Sequence, residues 1–428
     1  MGESRRKFLK KLVLASSPAH SASDGRPALS ANGGRPALSA NDGTVLVCVF
    51  LRGGADTLNM IVPYGDPNYY KVRPTLAIPQ PGKGKNALLK LDDFWGLHPA
   101  LAPLQPIFSA GELGVLQAVG SDNPSGSHFE AQDQMEHGEC YGKSVGGGWL
   151  GRYLRARSAG DVTPLAAVAI GAAVPESFRG APVTSVFRKV DELNMSAPSG
   201  CTEALCRALS SMYGGAEAGL LCAPGETTLH LLKRVERLRG QTYRPANGAA
   251  YSNDEFSDGL KEIARLVKAE VGLQVASIDL GGWDTHFVQG AVEGQQAALM
   301  KQLADGLSAF WKDLGKNNQH VTTIIMTEFG RRTYENGSLG TDHGRGFAFM
   351  SLGAGVNGGK IHGTYPGLED DQYELGPGGL RITCDYRNAL SAVLSFHNCP
   401  VETIFPGFTP TSLDLMLDPG ARGRIRSG

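Results

Sequence analysis

The sequence predicts a single α/β domain: a doubly wound, mostly parallel sheet sandwiched by helices. Three observations predict it. Short uninterrupted apolar runs, such as Val45–Leu51 and Val321–Met326, have the composition of strands buried on both faces. Amphipathic helical patterns alternate with them, at Phe256–Val271 and Glu293–Leu314. Many of the 57 glycines stand directly after the apolar runs (Gly53-Gly54, Gly281-Gly282, Gly330), where a chain must turn sharply out of a sheet.

The 428 residues, 41% of them hydrophobic, are enough to bury a large core. A net charge of −1 excludes the basic surface that nucleic-acid binding requires. No apolar run approaches the ~20 residues needed to span a bilayer, so no stable membrane anchor is expected. Ser4-Arg5-Arg6-Lys7-Phe8-Leu9-Lys10 reproduces the twin-arginine export pattern. Leu12–Ala15 and Ala19-His20-Ser21 follow as apolar stretch and cleavage region, so residues 1–23 read as a signal peptide. Export would engage the twin-arginine translocase and deliver a folded, bacterial-type protein to the periplasm or exterior. Residues 24–43 hold a near-perfect tandem duplication of Gly-Arg-Pro-Ala-Leu-Ser-Ala-Asn, too polar to fold, and read as a flexible linker. Residues 44–428 form the domain, with an insertion or cap at about 172–255.

Seven cysteines form no CxxC pair. Cys48 lies inside an apolar run and reads as a buried small hydrophobe. Cys201, Cys206 and Cys222 are close enough to pair in an oxidising compartment, as are Cys384 and Cys399. A redox cofactor is not indicated, since no GxGxxG follows a strand.

The chemistry collects at predicted strand exits. Val45–Leu51 delivers Asp56, which reads either as a metal ligand or as a cap of the next turn. Leu113–Val119 is the next strand of a strand–helix–strand unit and leads to Ser125, Ser127 and His128. A serine at a helix N-terminus can attack a phosphoryl or sulfuryl group held by free N–H groups. Ser127 with Glu130 also makes a capping box, so Ser125 is the preferred nucleophile; His128 reads either as a ligand or as a histidine at the edge of the core, the second reading being preferred. Leu273–Leu280 ends in Gly281-Gly282-Trp283-Asp284-Thr285-His286, a carboxylate and an imidazole within reach of one cation. Val321–Met326 delivers Glu328, Arg331 and Arg332, and a Gly-rich loop then brings Asp342 and His343 before the strand Gly346–Leu352. Asp56, Asp284, His286, Glu328, Asp342 and His343 are therefore the candidate metal ligands. Oxygen and nitrogen donors without thiolate suit one or two ions of Zn, Mn, Mg or Ca. Ser125 or Ser127 would attack, and Arg331 or Arg332 would clamp the oxyanion bidentately.

FLRGGADTLNMIVPYGDPNYY, VGSDNPSGSHFEAQDQME, LGGWDTH, MTEFGRR, GTDHGRG and IFPGF together resemble the domain-of-unknown-function 1501 family, over nearly all of Val45–Phe408. The resemblance implies twin-arginine export and an alkaline-phosphatase-like fold with metals at the strand carboxyl ends. It likens Asp56 to the first-strand metal aspartate, Asp284 and His286 to the later ligand pair, and His343 to the final metal histidine. The chain departs from the superfamily where Glu328-Phe329 replaces an Asp-His pair, and where Pro124 stands near the usual nucleophile. The expected function is an exported metal-dependent hydrolase of a small-molecule or glycan phosphate or sulfate ester. The alternative is a non-catalytic exported binding protein with at most one structural metal.

Overall fold

The computed structural model describes residues 44–157 (83 apart), 162–193, 241–369 (354 apart) and 378–418, with isolated positions between 207 and 239. The expected signal peptide and linker, and Cys201, Cys206 and Cys222, lie outside the described residues.

Val45–Leu51 (β1) forms the centre of a nine-stranded sheet. Every one of its residues is buried, and the two faces divide by parity. Val45, Val47, Val49 and Leu51 join the core on one side, and Leu46, Cys48 and Phe50 the core on the other. Two short strands, Ile61–Val62 (β2) and Leu89–Lys90 (β3), flank Gly96–Leu97 (β4) in a small separate sheet. The remaining strands of the large sheet are Leu113–Gly120 (β5), Ala167–Ile170 (β6), Ser185–Phe187 (β7), Val275–Leu280 (β8), Val321–Thr327 (β9), Phe347–Leu352 (β10), Ile361–His362 (β11) and Cys384–Asp385 (β12). The order is β11-β5-β10-β9-β1-β8-β6-β7, with β12 also on β5. Helices Glu255–Lys268 and Gln295–Leu314 cover one face, and Trp149–Arg157 and Tyr386–Phe396 cover the other. The mostly parallel α/β sandwich predicted from the sequence is the fold.

Register decides where the loops meet. Leu51 of β1 pairs with Leu280 of β8 on one side and with Thr327 of β9 on the other. The three strands therefore end level, and Arg52, Gly281 and Glu328 leave the sheet at one rim. Among these strands only β10 runs antiparallel to its neighbours β9 and β5. The segment between β9 and β10 therefore starts and finishes at that same rim, which keeps Asp342 and His343 there. These two follow no strand of their own, as the sequence reading had it; they sit in the return loop before an antiparallel strand.

Three local expectations change. β5 is not the neighbour of β1, because β9 and β10 lie between them. The stretch read as an insertion or cap from about residue 172 contains β7, which extends the sheet by pairing parallel with β6. Cys384 and Cys399 are not joined by a disulfide. The helix Tyr386–Phe396 stands between them, and its 11 residues span about 16 Å.

Candidate metal centre

Two glycines shape the first exit. Gly53 (φ +118°) passes so close to the Trp283–Asp284 backbone that a Cβ there would lie 2.6 Å from Asp284 N. Gly54 (φ +66°) leaves room for the Phe329 ring, which a Cβ would meet at 2.6 Å. The β1 and β8 exits and the residue after Glu328 are thereby pressed together.

Arg331 locks them. Its guanidinium is buried, and it donates from Nε to Gly54 O (2.5 Å) and from Nη1 to Thr341 O (2.8 Å). Nη2 donates to Gly53 O, to Trp283 O (3.1 Å) and to Asp284 Oδ1 (2.6 Å). All three nitrogens are bonded within the protein. Arg331 is thus a brace between strand exits, in place of the oxyanion clamp expected of it.

Asp284 Oδ1 is the hub of the site. His286 Nε2 lies 3.0 Å from it, His343 Nε2 3.2 Å and His128 Nε2 3.4 Å. Each imidazole is held from behind through its other nitrogen. His286 Nδ1 meets Asp342 Oδ1 at 2.8 Å, His128 Nδ1 meets Glu328 Oε1 at 2.8 Å, and His343 Nδ1 meets Gly126 O at 2.7 Å. These acceptors assign the single proton of each neutral ring to Nδ1, leaving lone pairs on Nε2. Yet His286 Nε2 and His343 Nε2 stand only 2.9 Å apart. Two lone pairs at that distance repel unless a cation lies between them. His128 Nε2 is buried and forms no hydrogen bond, although Asp284 is near enough to attract it.

Nitrogen and oxygen donors about 3 Å apart, backed by carboxylates and a carbonyl, fit a metal ion with bonds of about 2.0–2.1 Å. His128, Asp284 and His343 offer donor atoms all within 4.8 Å of one another, and His286 adds a fourth beside two of them. At Asp284 and His343 the protonation states agree with ligation. Burial opposes ionisation of Asp284, but the Arg331 hydrogen bond and charge outweigh it and bring the carboxyl down to about 2. Burial also holds His343 below the usual imidazole range. At His128 burial works the same way, but the Glu328 hydrogen bond and the Glu328 and Asp284 charges raise it above that range. The same negative charge that attracts a proton there attracts a metal cation.

The other expected ligands have different partners. Asp56 is fully buried in a bidentate pair with Arg73, at 2.5 and 2.9 Å, and also accepts from Gln289 Nε2 at 2.7 Å. Both its oxygens are engaged away from the histidines. Glu328 is buried and accepts from Gly53 N (2.9 Å) and Gln132 Nε2 (2.8 Å) besides its contact with His128. Burial would raise its carboxyl, but these partners hold it below the usual range. Asp342 orients His286 and accepts from Asn336 Nδ2 at 3.0 Å. Glu328 and Asp342 therefore orient the imidazoles of His128 and His286.

Ser127 caps the helix His128–His137, accepting from Glu130 N at 3.5 Å. Ser125 is exposed, and its hydroxyl accepts from Ser127 N at 3.2 Å. Arg332 donates to the Tyr334 hydroxyl, while its Nε is buried without a hydrogen-bond partner. His128, for which the sequence leaves ligand and core-edge histidine open with preference for the second, is brought to the Asp284 carboxylate and held by Glu328. A histidine at the mouth of a capped helix, following Ser127, was the signal available. Phe329 lies beneath the centre, its ring centroid 4.9 Å from those of His128 and His343.

No curated protein matches the chain. Among solved structures it is similar to a putative sulfatase from Bacteroides thetaiotaomicron VPI-5482, at 10% identity and TM-score 0.33, over 87% of this chain and 76% of that one. It is also similar to the PsFucS1 sulfatase from Pseudoalteromonas sp., at 12% identity and TM-score 0.34, over 88% and 72%. A third is the PH0037 protein from Pyrococcus horikoshii, at 12% identity and TM-score 0.31, over 86% and 99%. The family model described as a protein of unknown function, DUF1501, matches residues 44–376, and the chain belongs to that family.

Proposed function

We propose that the protein is a metal-dependent hydrolase of phosphate or sulfate esters, with one ion held by His128, His286, His343 and Asp284. The observation that carries this reading is the facing pair His286 Nε2 and His343 Nε2 at 2.9 Å, each with its Nδ1 already bonded. Three imidazoles favour zinc or another borderline transition ion over Mg or Ca, which prefer all-oxygen sites. A bound ion supplies Lewis-acid polarisation of the ester's charged oxygens. Glu328, Asp342 and the Gly126 carbonyl keep the donor nitrogens aimed. Arg332 is the cation left to hold an oxyanion, since Arg331 is spent on the backbone. Ser125 is the side chain offered for attack, one residue from the carbonyl that orients His343. The Ser4–Lys10 segment supports delivery by the twin-arginine route to the periplasm or exterior.

One observation favours a binding protein instead: four protein donors complete a tetrahedral shell, as structural zinc sites do. Against closure, the Asp284 side chain is 47% exposed, so one side of the centre faces solvent. Metal analysis of the purified chain, with turnover of aryl phosphates and sulfates, separates the two. The hydrolase reading expects about one ion per chain, and loss of ion and turnover together in His343→Ala. A stoichiometric ion with no turnover on any ester would establish the binding role.

A further inference from the structure

Four large apolar side chains close to this centre along the chain or across a loop stand in solvent. Phe129, directly after His128, is 88% exposed, and Phe287, directly after His286, is 71% exposed. Val288 and Leu339 are 68% and 50% exposed. They are joined through their backbones, since Val288 N donates to Ser338 O and Gln289 N to Leu339 O, each at 2.9 Å. The second of these loops presses on the first, where a Cβ on Gly340 would lie 2.3 Å from His286 O. Both Val288 (φ +43°) and Leu339 (φ +59°) adopt the left-handed backbone that suits glycine or asparagine, and a β-branched valine tolerates it least. Two aromatic rings and two aliphatic groups are thus held in solvent, two of them on a disfavoured backbone. None of this assists the core. The buried Phe329 ring continues the apolar character beneath His128 and His343.

We propose that Phe129, Phe287, Val288 and Leu339 form a rim that receives the organic group of the ester, an aryl group in preference to a small alkyl one. The inference rests on the hydrolase reading, because the rim is defined by its position around the His–Asp cluster. Phe129 and Phe287 are each covalently next to a histidine of that cluster. A group lying on them is therefore of a size and position to be attached to the charged head held at the centre. An aryl ester has that form: a compact anion joined to a flat apolar body.

Calorimetric titration of the zinc-loaded full-length protein with phenylphosphonate and with methylphosphonate tests the assignment, because the C–P bond resists hydrolysis and binding is read without turnover. Phenylphosphonate is expected to bind at least tenfold more tightly than methylphosphonate. Phe129→Ser and Phe287→Ser should each shrink that ratio several-fold. Both side chains are exposed, and circular dichroism will confirm that the variants fold. Equal affinities in the unsubstituted protein, or variants that keep its ratio, would overturn the rim while leaving the hydrolase reading intact. Failure of both phosphonates to bind overturns the rim, while the hydrolase reading is judged by turnover of aryl phosphates and sulfates. Binding to phosphatidylcholine vesicles that the two substitutions abolish, with the phosphonate ratio unchanged, assigns the rim to a membrane surface and also overturns the proposal.

Discussion

Replacing Asp56 by Asn asks whether this carboxylate serves the fold or the metal. Both members of the Asp56–Arg73 pair are 0% exposed, and the pair is bidentate. The variant keeps the shape and one acceptor oxygen but removes the charge. Arg73 would then face only neutral partners: Asn59 Oδ1 at 2.7 Å, Thr333 O at 2.8 Å and Arg332 O at 2.9 Å. Removing one partner of a buried ion pair costs about 3–5 kcal/mol, because the other charge stays desolvated. The surviving carbonyl partners place this case toward the lower end. Unfolding entropy of about 2.1 cal/mol/K per residue gives roughly 0.9 kcal/mol/K for a chain of this size, so the apparent Tm should fall by about 3–4 °C. Calorimetry at a fixed scan rate, with zinc analysis of the same samples, reads both quantities. The expected result is a lower Tm with unchanged metal content. An Asp56→Asn protein that loses its ion while melting normally would refute the argument and restore Asp56 as a ligand. The double variant Asp56→Asn/Arg73→Met should recover part of the lost stability, since no unpaired charge is left buried.

Two further outcomes follow from the supports of the centre. Glu328→Gln weakens the grip on the His128 ring, and loss of such a support typically lowers metal affinity about 10–100-fold. Chelator competition would show this, and unchanged affinity would argue against His128 as a ligand. Gly54→Ala forces a left-handed alanine and sets its Cβ against the Phe329 ring, for a stability loss of about 1–3 kcal/mol or more by urea titration. Zinc should also be held less tightly, because Phe329 lies under His128 and His343.

What the sequence makes legible here is whatever depends on composition and on position along a strand. β1 and β9 stand out because seven consecutive buried positions need seven apolar or β-branched residues. Asp284 and His286 are legible because they follow a strand by a few residues, and His343 because it stands just before one; a level register and the antiparallel return put such positions at one rim. The roles of the carboxylates are a different matter. Asp284, Glu328, Asp342 and Asp56 have the same chemistry on paper. One faces the Nε2 atoms, two face Nδ1 atoms, and one faces an arginine 17 residues away in the chain. That choice is made by rotamers and by which partner arrives from another element, and neither is written in local spacing. Arg331 is misleading for the same reason, since its neighbours in sequence do not reveal the carbonyls that fill its fork.

His128 shows the limit most clearly. A reading that counts imidazoles at strand exits finds two, His286 and His343, because the residue after Glu328 is Phe329. In space a third comes from the helix that starts at His128. Its ring packs on Phe329, reaches toward the same carboxylate oxygen as His286 and His343, and is oriented by Glu328, the residue just before Phe329. The strand exit provides the carboxylate of Glu328, and the helix mouth provides the imidazole that it orients. A cation is indifferent to which segment delivers a nitrogen, provided the lone pair arrives at bonding distance with its other nitrogen held. The number and aim of donors are therefore what the fold must preserve, and their order along the chain is free to change.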